Sequence, residues 1–172
     1  DIHSARIYLD RKEPDSAVSI LDKVTSGQLF IEAKILTAEI IAEHKSLDAG
    51  IASLNQYKNL SSEDELQFLK AKTSLLFTNN REQDAFDLMK SEDSKFNNFA
   101  EFKYDYAILA EKMGNIILME QLLKEAIKIK PNYVNAYNAL GYSYADRNIK
   151  LEDAKKYIEI ALSISPNNHY IM

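Results

Sequence analysis

The sequence predicts an all-α chain, an α-solenoid of about five helix-turn-helix units. Three observations predict it. A small residue recurs as Ala5, Ala38, Thr73, Ala107 and Gly141, at intervals of 33, 35, 34 and 34 residues. A second column, Ala17, Gly50, Ala85, Met119 and Ala154, keeps the same period and is small except at Met119; Leu21, Leu54, Met89, Leu123 and Ile158 follow it by four residues. A further column, three residues after the first, holds Tyr8, Ile41, Leu76, Ala110 and Tyr144, and no stretch alternates apolar with polar residues as a half-buried strand would. Residues three or four apart share one face of a helix. Each unit therefore holds two helices whose apolar stripes meet, with small residues where the backbones approach. Such a pair cannot bury its stripes alone, so copies must stack.

The first pair is expected near residues 2–11 and 15–24. Pro14 stops one helix or opens the next, because it has no N–H to give to a helix interior. Gly27 suits the left-handed backbone that ends a helix. The second unit runs over about 29–57, and its first helix, 29–44, is apolar on more than one side, as a helix packed between neighbours should be. In the third, Ser62 with Glu65 reads as a capping box, and the acids at 63–65 suit the positive end of the helix dipole. Its second helix is expected to end at Lys90, leaving 91–98 as the most polar connection and the place for irregularity. Gly114-Asn115 is the turn of the fourth unit. Pro131 ends that unit and Asn132 is expected to cap the fifth. The fifth turn, 146–150, is one residue longer than the others. The units fall at about 1–27, 28–60, 61–94, 95–130 and 131–166, within one domain; 167–172 read as the opening of a further helix.

Composition narrows the function. The chain has 172 residues, with 46% hydrophobic and 27% charged, which supports a core and a solvated surface. A formal net charge of −5 speaks against a nucleic-acid partner, which would call for a basic face, and favours basic or neutral partners. The chain has no cysteine, so disulfides, thiolate metal sites and a cysteine nucleophile are excluded together. It holds no apolar run near 18 residues, so no membrane insertion is expected within it. It begins without Met and ends in what reads as a new helix, as an internal piece of a longer repeat protein would.

No catalytic, cofactor or metal site is expected, and the chain is not expected to be an enzyme. His3, His44 and His169 lie in different units without a paired ligand, and His44 reads as a solvated helix-end residue. Glu63, Asp64 and Glu65 are consecutive, so their carboxylates diverge on a helix rather than converge on one ion. The four glycines are isolated and form no phosphate-binding loop. Phe96, Phe99, Phe102 and Tyr106 share a face and read as core, whereas Tyr104 lies on another side and reads as available.

The stretch Tyr137-x2-Leu140-Gly141-x2-Tyr144, then Ala154-x3-Ile158, then Pro166 resembles the tetratricopeptide repeat, with Tyr137 where that family prefers Trp and Ile158 where it prefers Phe. The resemblance is strong in the last two units, moderate in the first two and weak in the third. It implies a right-handed superhelix whose first helices line a concave groove that binds a peptide or another protein. By resemblance the partner-binding positions are Arg6, Leu9, Ile35, Glu39, Lys70, Phe77, Tyr104, Ile108, Asn138 and Tyr142. Members that grip chaperone C-terminal carboxylates use Lys, Asn and Arg; only Lys70 matches in kind, which disfavours that activity. Residues 138–147 with 161–166 are similar to a repeat of large bacterial proteins, several of them exported or lipid-anchored. The resemblance thus implies a bacterial origin and leaves cytoplasm and envelope both open. The alternatives are a self-association module forming a homodimer through exposed repeat ends, and a regulatory domain of a larger protein.

Overall fold

The computed structural model describes residues 2–166, and among them are ten helices and no strand. The helices are α1 (Ile2–Asp10), α2 (Pro14–Asp22), α3 (Phe30–His44), α4 (Leu47–Asn55), α5 (Ser62–Thr78), α6 (Glu82–Phe96), α7 (Ala100–Lys112), α8 (Ile116–Ile129), α9 (Val134–Asp146) and α10 (Leu151–Ile164). The all-α, α-solenoid class read from the sequence is the class observed. The chain divides into two compact units, residues 1–85 and 86–172, with the division falling inside α6. In the first unit α1 packs on α2, α3 on α4, and α5 on both α3 and α4; in the second α7 packs on α8, α9 on α10, and α8 on α9.

The repeating columns are the core. Ala5, Ala38, Thr73, Ala107 and Gly141 are all buried, as are Ala17, Gly50, Ala85, Met119 and Ala154. Leu21, Leu54, Met89 and Leu123 are fully covered, each stabilising the fold by about 1.5–3 kcal/mol relative to an exposed side chain. In the α7–α8 pair the sizes are exchanged. Met119 takes a small residue's place, and Ala110 stands where the other pairs carry a large residue.

Each turn inside a pair closes the same way. The amide five residues beyond the large column donates back to its carbonyl: Glu13 to Tyr8 at 2.9 Å, Ser46 to Ile41 at 3.2 Å, Arg81 to Leu76 at 2.9 Å, Asn115 to Ala110 at 2.8 Å and Ile149 to Tyr144 at 3.0 Å. This bond belongs to the Schellman helix ending, which puts one residue in the left-handed region. In four of the five turns that residue is Lys12, Asn80, Gly114 or Asn148, at φ 62, 57, 73 and 52°; the α3–α4 turn makes the same bond without one, with Lys45 at φ −121°. Asn and Gly accept this conformation at little cost. The turn of the last pair holds its extra residue, Lys150, also left-handed at φ 47°.

Three boundaries differ from the sequence reading. The cap of α5 is Ser61, whose Oγ accepts from the Asp64 amide at 3.1 Å; Ser62 is already helical. The start of α9 lies at Tyr133, with no side-chain cap, so Asn132 does not serve as one. Most importantly, α6 does not stop at Lys90 but continues to Phe96. Ala85, Met89 and Phe96 are buried along one helical face, and that stripe carries the polar segment 91–95 into the helix. The expected opening of a further helix at 167–172, with His169, lies outside the described residues.

Ion pairs tie neighbouring helix pairs together. Lys34, on α3, is 4% exposed; its ammonium donates to the Leu21 carbonyl at 3.2 Å and lies 3.7 Å from Asp22. It also sits 5.7 and 5.9 Å from the ring centres of Phe30 and Tyr57. Lys103 occupies the same column on α7, is 5% exposed, and is held by Asp93 at 2.7 Å and Glu125 at 2.8 Å. Burial works to lower the Lys103 pKa, but the two carboxylates outweigh it and the net shift is upward. On the other edge Lys150 reaches Glu120 at 2.9 Å, lies 4.8 Å from the centre of the Tyr144 ring, and shares Glu120 with Lys124.

Two predictions follow from this packing. A Cβ on Gly50 would stand 2.6 Å from the Ala38 carbonyl oxygen, whereas one on Gly141 would mainly meet the Ile158 side chain at 2.7 Å. Backbone cannot yield as a side-chain tip can. Gly50→Ala should therefore destabilise by about 1–3 kcal/mol and Gly141→Ala by less, read from urea unfolding; the reverse order would contradict the packing. The second prediction concerns Glu120, whose carboxyl is lowered to about 2, first by Lys124, against the effect of burial, and then by Tyr144 and Lys150. A carboxyl lowered on folding stabilises above its ordinary pKa of 4.5 and loses that contribution as pH falls toward 2. Glu120→Gln should flatten the dependence of the urea midpoint on pH between 4.5 and 2, relative to the parent chain.

Candidate functional site

The ten positions expected to meet a partner all lie on the first helix of a pair, and none is buried. They sit beside the small column rather than in it, so each helix packs one face fully and leaves the next only partly covered. In the first unit Arg6 is exposed and only loosely paired with Glu32, at 3.8 Å, a contact of little energetic weight. Leu9 and Ile35 are half-buried and pack against the core clusters around Leu21 and Leu54. Glu39 is exposed at the surface, yet partial desolvation raises its pKa. Lys70 is half-buried, and Phe77 is 36% exposed at the end of α5.

In the second unit Tyr104 and Ile108 are half-buried on α7, Asn138 is half-buried on α9, and Tyr142 is 49% exposed. The two rows are tied at both ends. At one end the Tyr104 ring meets the edge of Tyr133, centroids 5.6 Å apart. At the other, Arg147 reaches Glu111 at 3.2 Å. Tyr104 is therefore not the open ring expected from the sequence; Tyr142 is the more accessible. Phe96, Phe102 and Tyr106 are core, as expected, and Phe99 is half-buried against Phe96.

Tyr133 is the residue that sequence reasoning missed. A column would have revealed it, because eight residues before the small position stand Phe30, Phe99 and Tyr133. Each packs its ring on another aromatic: Phe30 on Tyr57, Phe99 on Phe96 and Tyr133 on Tyr104. The surroundings of the tyrosine pair are acidic. Burial first, then the charges of Asp105 and Glu111, raise the Tyr104 phenol; burial, Asp105 and Glu101 raise that of Tyr133. The Lys130 ammonium stands 5.1 Å from the centre of the Tyr133 ring and 3.0 Å from Glu101.

Elsewhere, Glu63, Asp64 and Glu65 form the first turn of α5, and His44 is an exposed helix-end residue beside Glu43. Among the described residues no group of three or more His, Asp or Glu side chains could hold a metal ion, and no helix is long and apolar enough to cross a membrane.

Residues 134–168 match the sequence profile of the tetratricopeptide repeat. The last helix pair is a tetratricopeptide repeat. Along 97% of its length the chain is similar to a TPR repeat-containing protein of Pseudomonas aeruginosa, at 22% identity over 167 residues, and it spans 28% of that relative's length. Among solved structures it resembles MamA, with a TM-score of 0.64 at 19% identity, covering 94% of each chain. The MamA of Desulfovibrio magneticus gives 0.64 at 11% identity, covering 97% of this chain and 94% of the other. YrrB, described as a TPR protein with an unusual peptide-binding site, gives 0.62 at 13% identity, covering 97% and 86%. At these identities the likeness is one of fold. The other four helix pairs share the columns of the repeat at 137–166.

The tyrosine contact can be checked directly. A double-mutant cycle on Tyr104→Ala and Tyr133→Ala should give a coupling of about 0.5–1.5 kcal/mol in urea unfolding. Additive effects would mean that the rings do not meet.

Proposed function

We propose that this chain is a non-catalytic protein-interaction scaffold that takes a peptide or partner protein on the uncovered face of its first helices. One observation carries the reading. None of the ten positions named by the repeat resemblance is buried, while the small residues beside them are. The first unit offers Phe77 with the polar groups Arg6, Glu39 and Lys70, and the second offers Tyr104, Ile108 and Tyr142 with Asn138. Aromatic anchors flanked by polar contacts are what peptide recognition uses. The peptide-binding site named for YrrB, a neighbour in fold, agrees with this. Tetratricopeptide repeats are in general non-catalytic, which supports the non-catalytic reading.

A self-association module is the second reading. Leu162 and Ile164 on α10 are 41% and 37% exposed, and exposed apolar surface of that kind tends to associate.

Affinity capture from an extract of the source organism separates the two. Tyr142→Ala leaves the core untouched and should lose a partner that the parent chain retains, while helicity is unchanged. Retention by both chains would move the binding surface elsewhere, and recovery of only a second copy of the chain would favour self-association.

A further inference from the structure

The acidic aromatic notch of the second unit has a chemistry of its own. Tyr133 presents a ring face on which a cation already rests: the Lys130 ammonium, 5.1 Å from the ring centre and bonded to Glu101 at 3.0 Å. An aromatic ring with a carboxylate beside it attracts a cation twice over, through the ring quadrupole and through charge. Next to it the half-buried Tyr104 ring and Ile108 add partly accessible apolar surface on α7. Asp105 adds a carboxylate whose charge acts on both phenols, and Glu111 a third that acts on Tyr104. The Lys130–Glu101 pair is open to solvent on both sides, with 46% and 42% of the side chains exposed. A pair so exposed holds weakly and is easily exchanged.

We infer that the second unit recognises extended peptides of the basic-apolar class: an arginine or lysine set over Tyr133 in place of Lys130, and a neighbouring aliphatic side chain on Tyr104 and Ile108. Lys130 is then an internal stand-in for the ligand's cation and competes with it. The acidic balance of the whole chain, −5, draws the same class of ligand. This inference rests on the scaffold reading above and adds the chemistry of what is bound.

The test is fluorescence anisotropy on the whole chain with three fluorescein-labelled decapeptides: alternating Arg and Leu, alternating Glu and Leu, and alternating Arg and Ser. The Arg-Leu peptide should bind at least about tenfold tighter than either of the others, and its affinity should fall as salt rises. Asp105→Asn should weaken it about threefold or more. Lys130→Ala should strengthen it a few-fold, whereas Lys128→Ala, which removes an equal charge nearby, should do so less. Equal binding of the Arg-Ser peptide, equal gains from the two lysine variants, or no binding by the Arg-Leu peptide would overturn the inference. Two further outcomes separate it from the scaffold reading. If the Glu-Leu peptide binds as well and Tyr142→Ala weakens both, the basic class is wrong and the scaffold reading stands. If Arg-Leu binding is untouched by Tyr104→Ala and Tyr142→Ala, both fall.

Discussion

Two helices can lie with their backbones nearly touching only where a side chain is almost missing. That contact is the constraint on which this molecule depends. A Cβ on Gly50 would run into the Ala38 carbonyl and Ala42, and one on Gly141 into Ile158 and the Ala154 carbonyl. Close approach of the two helices lets the residues one turn away interlock, so Leu21, Leu54, Met89 and Leu123 are sealed from water. The same contact sets which face of each first helix is used up, and therefore which is left over. Accessibility of the candidate binding positions is thus a by-product of how the pair packs.

Apolar contact alone does not fix how one pair stands on the next, since an apolar stripe tolerates sliding. Buried charge does not tolerate it. Lys34 and Lys103 take the column where the last pair has Tyr137, and each sends its ammonium to a neighbouring pair, to the end of α2 in one case and to α6 in the other, where Lys103 also holds Glu125 of its own pair. An ammonium removed from water without a partner is costly, so a slipped arrangement that separated Lys103 from Asp93 and Glu125 would be penalised. These lysines act as register pins more than as sources of net stability. Arg81 with Asp48 and Arg147 with Glu111 repeat the theme at the surface, where the pairs are weaker.

The fold was legible because its signal is periodic. Four columns at one spacing specify both helices of each pair, and burial follows those columns even at Met119, which breaks the small-residue rule. What was not legible lay where local composition and tertiary packing disagree. Residues 91–95 read as a polar connection, yet Phe96 needs a helix beneath it to reach the core, and the helix continues. Ser61 and Ser62 are equivalent on paper; only the extended backbone of Ser61 decides which one caps. The site was legible to the level of a face. Its most informative residue, Tyr133, sits just before a helix in a column only three units share, and its contact with Tyr104 is made in space. The two buried lysines escaped notice for a related reason: a charged residue in a core column reads as surface until its partners are known.

Lys150 makes the last pair one residue longer than the others, and the addition is confined to a turn. A residue added inside a helix rotates everything beyond it by about 100° and would throw Ala154 and Ala161 out of the core. Placed in the left-handed turn, it leaves both helices in phase, with Ala154 and Ala161 still buried. Comparison of this chain with its relatives should therefore open its gap at residue 150. A gap placed three or four residues later would align surface with core for the rest of the repeat and hide much of the similarity that is there.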